Sequence, residues 1–125
     1  MRSALTPPAG VALGPYSHAI ETGGLILLSG QTPIDPGTGE LVSGGIDVQT
    51  RRCLENLTAV LAAGGLTRAD VVKCTVYLTD MADFSAMNAA YAEYFDEPFP
   101  ARTTIAVAGL PLGARVEIEM IAQRS

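Results

Sequence analysis

Arg102 stands in a stretch that otherwise carries no charge, Phe99-Pro-Ala-Arg-Thr-Thr-Ile-Ala-Val107, with Pro100 before it and β-branched residues after it. A buried charge without a partner costs several kcal/mol, so this residue either closes an ion pair within its own chain or receives an anionic ligand. We prefer the ligand, because a guanidinium offers paired, coplanar N–H donors that match a carboxylate. The intrachain partners would be Glu117 and Glu119, which alternate on Arg115-Val-Glu-Ile-Glu-Met-Ile-Ala122 in the manner of a solvated or ion-paired strand face. Other polar residues stand where a ligand could reach them. Tyr16 follows the rigid pair Gly14-Pro15, and on residue type alone it fits core packing as well as a cleft. Ser29 and Gly30 close a strand at a turn, where a glycine allows close approach to backbone groups. Asn88 lies inside an apolar helical stripe and must find a hydrogen-bond partner there, backbone or ligand. His18 has no nucleophile beside it and reads as strand surface; Asp35 and Asp47 read as turn and cap residues.

Composition narrows the classes of function. A chain of 125 residues is expected to form one domain, spanning 1–125, with an adequate core. It is 48% hydrophobic and 17% charged, which is apolar for a small monomer and predicts surface buried by self-association. The net charge of −5 argues against nucleic-acid binding, which needs clustered Lys and Arg. No run approaches the roughly 20 apolar residues of a membrane span, and the first residues lack a signal-peptide pattern. Cys53 and Cys74 have no metal or redox spacing and read as reduced core residues of a cytoplasmic protein. With one histidine, no metal site is expected.

The elements that must position these residues follow from periodicity. Tyr16–Ile20 and Leu25–Ser29 flank Thr22-Gly-Gly24 as a hairpin. A turn-rich loop follows from Gln31 to Gly45. A helix capped by Asp47 buries Cys53, Leu54, Leu57, Val60 and Leu61 on one face and ends at Gly64-Gly65. Val71–Leu78 is a strand, and Asp83 caps a second helix with a stripe of Phe84, Met87, Tyr91, Tyr94 and Phe95. Pro98 and Pro100 stop that helix before the last two strands. The order β-β-α-β-α-β-β predicts an α+β sandwich, a mixed sheet with both helices on one face. Strand parity places Val72, Cys74, Val76 and Leu78 under the helices, with Val116, Ile118, Met120 and Ala122 on one face of the last strand. The other sheet face is then mixed, carrying Lys73, Thr75, Tyr77, Glu117, Glu119 and Ile121. Packing of subunits in a closed ring would cover it.

Six blocks carry a resemblance in order along the chain: Gly14-Pro-Tyr-Ser17, Leu28-Ser-Gly-Gln-Thr-Pro33, Val72–Leu78, Met87-Asn-Ala-Ala-Tyr91, Pro100-Ala-Arg-Thr-Thr104 and Val116–Ala122. In these blocks the chain resembles the Rid family of reactive-intermediate (enamine/imine) deaminases, the YjgF-type proteins. The resemblance implies a chorismate-mutase-like α+β fold and a homotrimer with sites between subunits. It implies cofactor-free hydrolysis of 2-aminoacrylate- or 2-iminobutyrate-type compounds to 2-keto acids and ammonia. By the same resemblance Arg102 binds the substrate carboxylate, Glu117 handles the water with Glu119 as second choice, and Tyr16 orients substrate or water. Ser29, Gly30, Asn88 and Thr104 would line the pocket. Thr104 stands where many relatives carry Cys, and the Asp96-Glu-Pro98 connection is shorter than in some. The alternatives are deamination of a larger catabolic enamine, or a non-catalytic trimer that senses small carboxylates or holds partner proteins.

Overall fold

The computed structural model describes residues 1–8 and 14–125. Its strands are β1 (Ser3–Leu5), β2 (Ala19–Thr22), β3 (Leu25–Gln31), β4 (Val71–Leu78), β5 (Ala101–Ala106) and β6 (Val116–Gln123). Its α-helices are α1 (Ile46–Ala63) and α2 (Phe84–Tyr94). All six strands form one sheet in the order β1-β2-β3-β6-β4-β5, in which only β4 and β5 run parallel. The expected α+β sandwich is present, with one strand more than the predicted order: β1 pairs antiparallel with β2. Three residues without alternation carry too little pattern to announce a strand, and this one is held by a partner distant in sequence.

The β2–β3 hairpin turns at Gly23 and Gly24, both at positive φ, where a side chain would strain the backbone. Helix α1 buries the predicted stripe of Cys53, Leu54, Leu57, Val60 and Leu61 and stops at Gly64, with Gly65 at φ +73°. From α2, Met87 and Tyr91 are buried, with Phe95 just beyond its end; Phe84 and Tyr94 pack against the same core. The sheet answers with Cys74, Val76, Leu78, Val116, Ile118, Met120 and Ala122, all nearly inaccessible. Truncating such a residue, Leu57 for instance, removes about 2–5 kcal/mol.

Four local expectations are corrected. Val72 is 43% exposed and Val71 buried, because the β4–β6 register slips between Val71 and Lys73 and reverses the parity at that end. His18 is buried rather than on the surface; it lies in a bend one residue before β2 begins, where strict alternation does not hold. Asp47 is not the N-cap of α1. That position is Gly45, and Asp47 lies in the first turn, 3.6 Å from Arg51, where its charge still suits the helix dipole. Asp83 does occupy the N-cap of α2, but its carboxylate caps nothing. Instead Asp83 accepts two hydrogen bonds from Arg115, at 2.7 and 3.3 Å, tying the start of α2 to the residue before β6. Gln49 of α1 accepts from the Arg115 backbone N–H on the same corner. Asp35 is the expected turn residue, its carboxylate accepting from the Gly37 N–H.

Candidate functional site

Arg102 pairs in register with Cys74 on β5, the parallel edge strand. Its side chain therefore shares the sheet face on which the helices pack, and α2 lies beside it. Asn88 Oδ1 accepts a hydrogen bond from Arg102 Nη2 at 2.6 Å. The guanidinium carbon lies 4.7 Å from the centroid of the Tyr91 ring and 5.7 Å from that of Phe84. Among the described residues no carboxylate comes within ion-pair distance of Arg102, so neither Glu117 nor Glu119 closes the intrachain pair. Asn88 has thus found its partner, and that partner is the arginine itself. Thr104, two residues on and half-buried, has its hydroxyl oxygen enclosed without a hydrogen bond.

Glu117 pairs in register with Tyr77 and occupies the opposite face, the one the helices leave open. Glu119 is engaged there: the Tyr77 hydroxyl donates to it at 2.5 Å, and this bond is the main cause that pushes the Tyr77 hydroxyl up to about 12. Glu117 has no hydrogen-bond or ion-pair partner among the described residues. Burial, and then the charge of Glu119, raises its carboxyl above the ordinary value. Gly30 lies directly under it. A Cβ built on Gly30 would come within 2.2 Å of Glu117 Oε2, so only a glycine leaves the carboxylate where it is. Gly30 sits in a bulge, since three steps along β3 from Leu28 to Gln31 match two along β6 from Met120 to Ile118. Ser29 is fixed by its neighbours: its hydroxyl donates to the Ser17 carbonyl at 2.6 Å and its N–H to the His18 carbonyl. Tyr16, which immediately precedes Ser17, is 49% exposed.

The predicted residues thus fall into two groups rather than one. Arg102, Asn88 and Thr104 lie at the β5 edge against α2. Glu117, Gly30 and Ser29 lie at the β3–β6 bulge on the open face. Neither a hollow of about 510 Å³ bounded by Arg68, Phe95 and Phe99 nor one of about 220 Å³ bounded by Leu27, Lys73 and Glu119 is lined by Arg102 or Glu117. Tyr91 and Phe84 were expected only as core stripe; their second role could be found only by knowing what packs on them. Among the described residues no three His, Cys, Asp or Glu side chains cluster to hold a metal, and no helix is long and apolar enough to cross a membrane.

Comparison with known proteins gives this arrangement a context. The family profile Endoribonuclease L-PSP matches residues 6–124. The chain belongs to this family, the Rid (YjgF/RutC) proteins. A RutC family protein of Pyrococcus horikoshii is 53% identical over 90% of this chain and 89% of its own. The 2-iminobutanoate/2-iminopropanoate deaminase of Capra hircus is 47% identical over 94% of this chain and 85% of its own. Among solved Rid-type structures, Escherichia coli TdcF with bound serine superposes with a TM-score of 0.90 at 38% identity, covering 98% of this chain and 99% of that one. The Rid fold therefore accounts for the whole sheet and both helices.

Proposed function

We propose that this chain hydrolyses 2-imino acids, the tautomers of 2-aminoacrylate-type enamines, to 2-keto acids and ammonia, acting as a single domain of residues 1–125. The observation that carries it is the state of Arg102: a half-buried guanidinium held only by uncharged groups, with its charge left for an incoming carboxylate. The likeness to an imine deaminase and to a protein that binds serine, itself a small amino acid with a carboxylate, points the same way.

In the reaction Arg102 takes the substrate carboxylate, which makes the neighbouring imine carbon more electrophilic. From the protonated imine, Glu117 accepts a proton from water as the water oxygen bonds to that carbon, and the C=N electron pair moves to the nitrogen, which becomes a neutral amine. Glu117 then returns that proton to the amine, the C–N bond breaks to release ammonia, and Glu117 takes the hydroxyl proton as the carbinolamine oxygen becomes the keto oxygen. Tyr16 orients water or substrate, and Ser29, Gly30 and Thr104 shape the walls. Such imines already hydrolyse in water, so positioning plus one proton relay, about 10²–10⁴-fold, is enough. Arg102 and Glu117 lie on opposite faces of one sheet, so the reaction needs Arg102 of one copy beside Glu117 of another. A closed ring of three, covering the mixed face that exposes Leu25 and Leu27, meets this need. The excess of acidic over basic residues, 13 to 8, disfavours RNA as substrate despite the family's descriptive name. No cofactor is required, and the two buried free cysteines suit the cytoplasm.

The test generates 2-iminobutyrate with a threonine dehydratase and traps it with semicarbazide. Catalytic amounts of the protein should suppress trapping, and Arg102→Ala should remove at least 99% of that effect, a loss of about 100-fold. Equal behaviour of wild type and variant would end the proposal, and binding of keto acids without turnover would make the chain a sensor.

A further inference from the structure

We propose that α2 forms an uncharged cradle for Arg102, in which Tyr91 and Phe84, with Asn88 between them, are positioning residues for carboxylate capture. The inference rests on the function proposed above and extends it to residues that act through the guanidinium. Phe84, Asn88 and Tyr91 are spaced i, i+4 and i+7, so they line one stripe of the helix and meet the guanidinium together.

The choice of partners matters more than their number. An unrestrained arginine loses rotamer entropy when a ligand fixes it, which weakens capture. A carboxylate beside Arg102 would fix it in advance, but would also neutralise it and compete with the substrate. Aromatic faces avoid the conflict. They attract a cation through the ring quadrupole while offering no strong acceptor to the N–H groups at the guanidinium edge. Asn88 adds one directional bond from a neutral carbonyl and uses one of the five N–H donors. The guanidinium is thereby held in place with in-plane donors and a whole charge remaining for a bidentate anion. Asp83, the acidic residue nearest in sequence to this stripe, is turned away into its pair with Arg115.

Three variants test the cradle, read by KM and kcat for 2-iminobutyrate and by the calorimetric Kd of 2-oxobutanoate. Tyr91→Leu removes a ring face and should raise KM and Kd roughly tenfold, with kcat less affected, while Tyr91→Phe should restore both. Asn88→Asp sets an anion against the guanidinium and should raise KM and Kd by about tenfold or more, with the thermal midpoint unchanged or higher. A mere folding defect lowers the midpoint, so this combination separates positioning from structure. Wild-type KM and Kd in Asn88→Asp would overturn the cradle, and that variant decides should Tyr91→Leu fail to fold. A wild type that binds 2-oxobutanoate through Arg102 without hydrolysing imine would refute the proposed reaction and leave the cradle standing. A wild type that binds no carboxylate would refute both.

Discussion

Glu117 is a carboxylate whose surroundings disfavour its charge, first through burial and then through Glu119. The folded chain therefore holds that proton more readily than the unfolded chain, so ionised Glu117 opposes folding at neutral pH. Its opposition fades as pH falls through the carboxylate range. Glu117→Gln should accordingly melt at a higher temperature than wild type at pH 7, and the gap should close near about pH 4 in a series of thermal scans. The same variant should lose about 10²–10⁴-fold in kcat. Stability gained where activity is lost would mark a strained functional carboxylate; a lower midpoint at pH 7 would assign Glu117 a structural role. At this scale the sequence was only partly legible. The oddity of Arg102 was visible from its uncharged neighbours, whereas its hold by Asn88 and Tyr91 depends on residues 14 and 11 positions away on another element. The division of labour between Glu117 and Glu119 likewise depends on Tyr77, across a strand pairing that no spacing reveals.

The β3 strand shows how a whole element serves one side chain. Its bulge at Ser29 and Gly30 breaks the ladder to β6 and brings a residue without a side chain beneath Glu117. Gly30→Ala should displace the carboxylate, since its chain end is what gives way, and lower kcat by about 10-fold or more while circular dichroism and thermal midpoint stay near wild type. Retention of full kcat would show that the carboxylate tolerates displacement. Both α-helices and five of six strands were legible, because α1, α2, β4 and β6 carry strong periodicity and the hairpin carries its Gly-Gly turn. Two features broke the same logic. Ser3–Leu5 is too short to show a period, and the register slip beside Val72 reverses parity where a pattern assumes continuity. The α1 cap was misplaced because Ile46, already buried, begins the helix before Asp47.

A single copy of this molecule carries two separated halves of its proposed chemistry, which the proposed assembly would join. Mixing Arg102→Ala with Glu117→Gln chains, unfolding them together and refolding should therefore restore activity that neither variant has alone. Random mixing at equal amounts leaves about a quarter of the sites with both groups intact. Recovery near that level, with a trimer in sedimentation analysis, would support sharing between copies; no recovery would show that each chain completes its own site. The apolar composition and the mixed outer sheet face, on which the expectation of association rests, were legible in the sequence. The opposition of Arg102 and Glu117 was not, because it follows from Arg102 sharing a register position with Cys74 while Glu117 shares one with Tyr77.

Both cysteine sulfurs lie between the sheet and the helices, and burial raises their thiols, that of Cys74 to about 11. Nucleophilic attack by cysteine requires the thiolate, so at neutral pH neither sulfur is armed or within reach of solvent. Where the proposed pocket approaches the chain it meets the hydroxyl-bearing Thr104 instead. A catalyst that handles reactive unsaturated substrates runs the hazard of poisoning itself through a thiolate, and the cysteines of this molecule offer none.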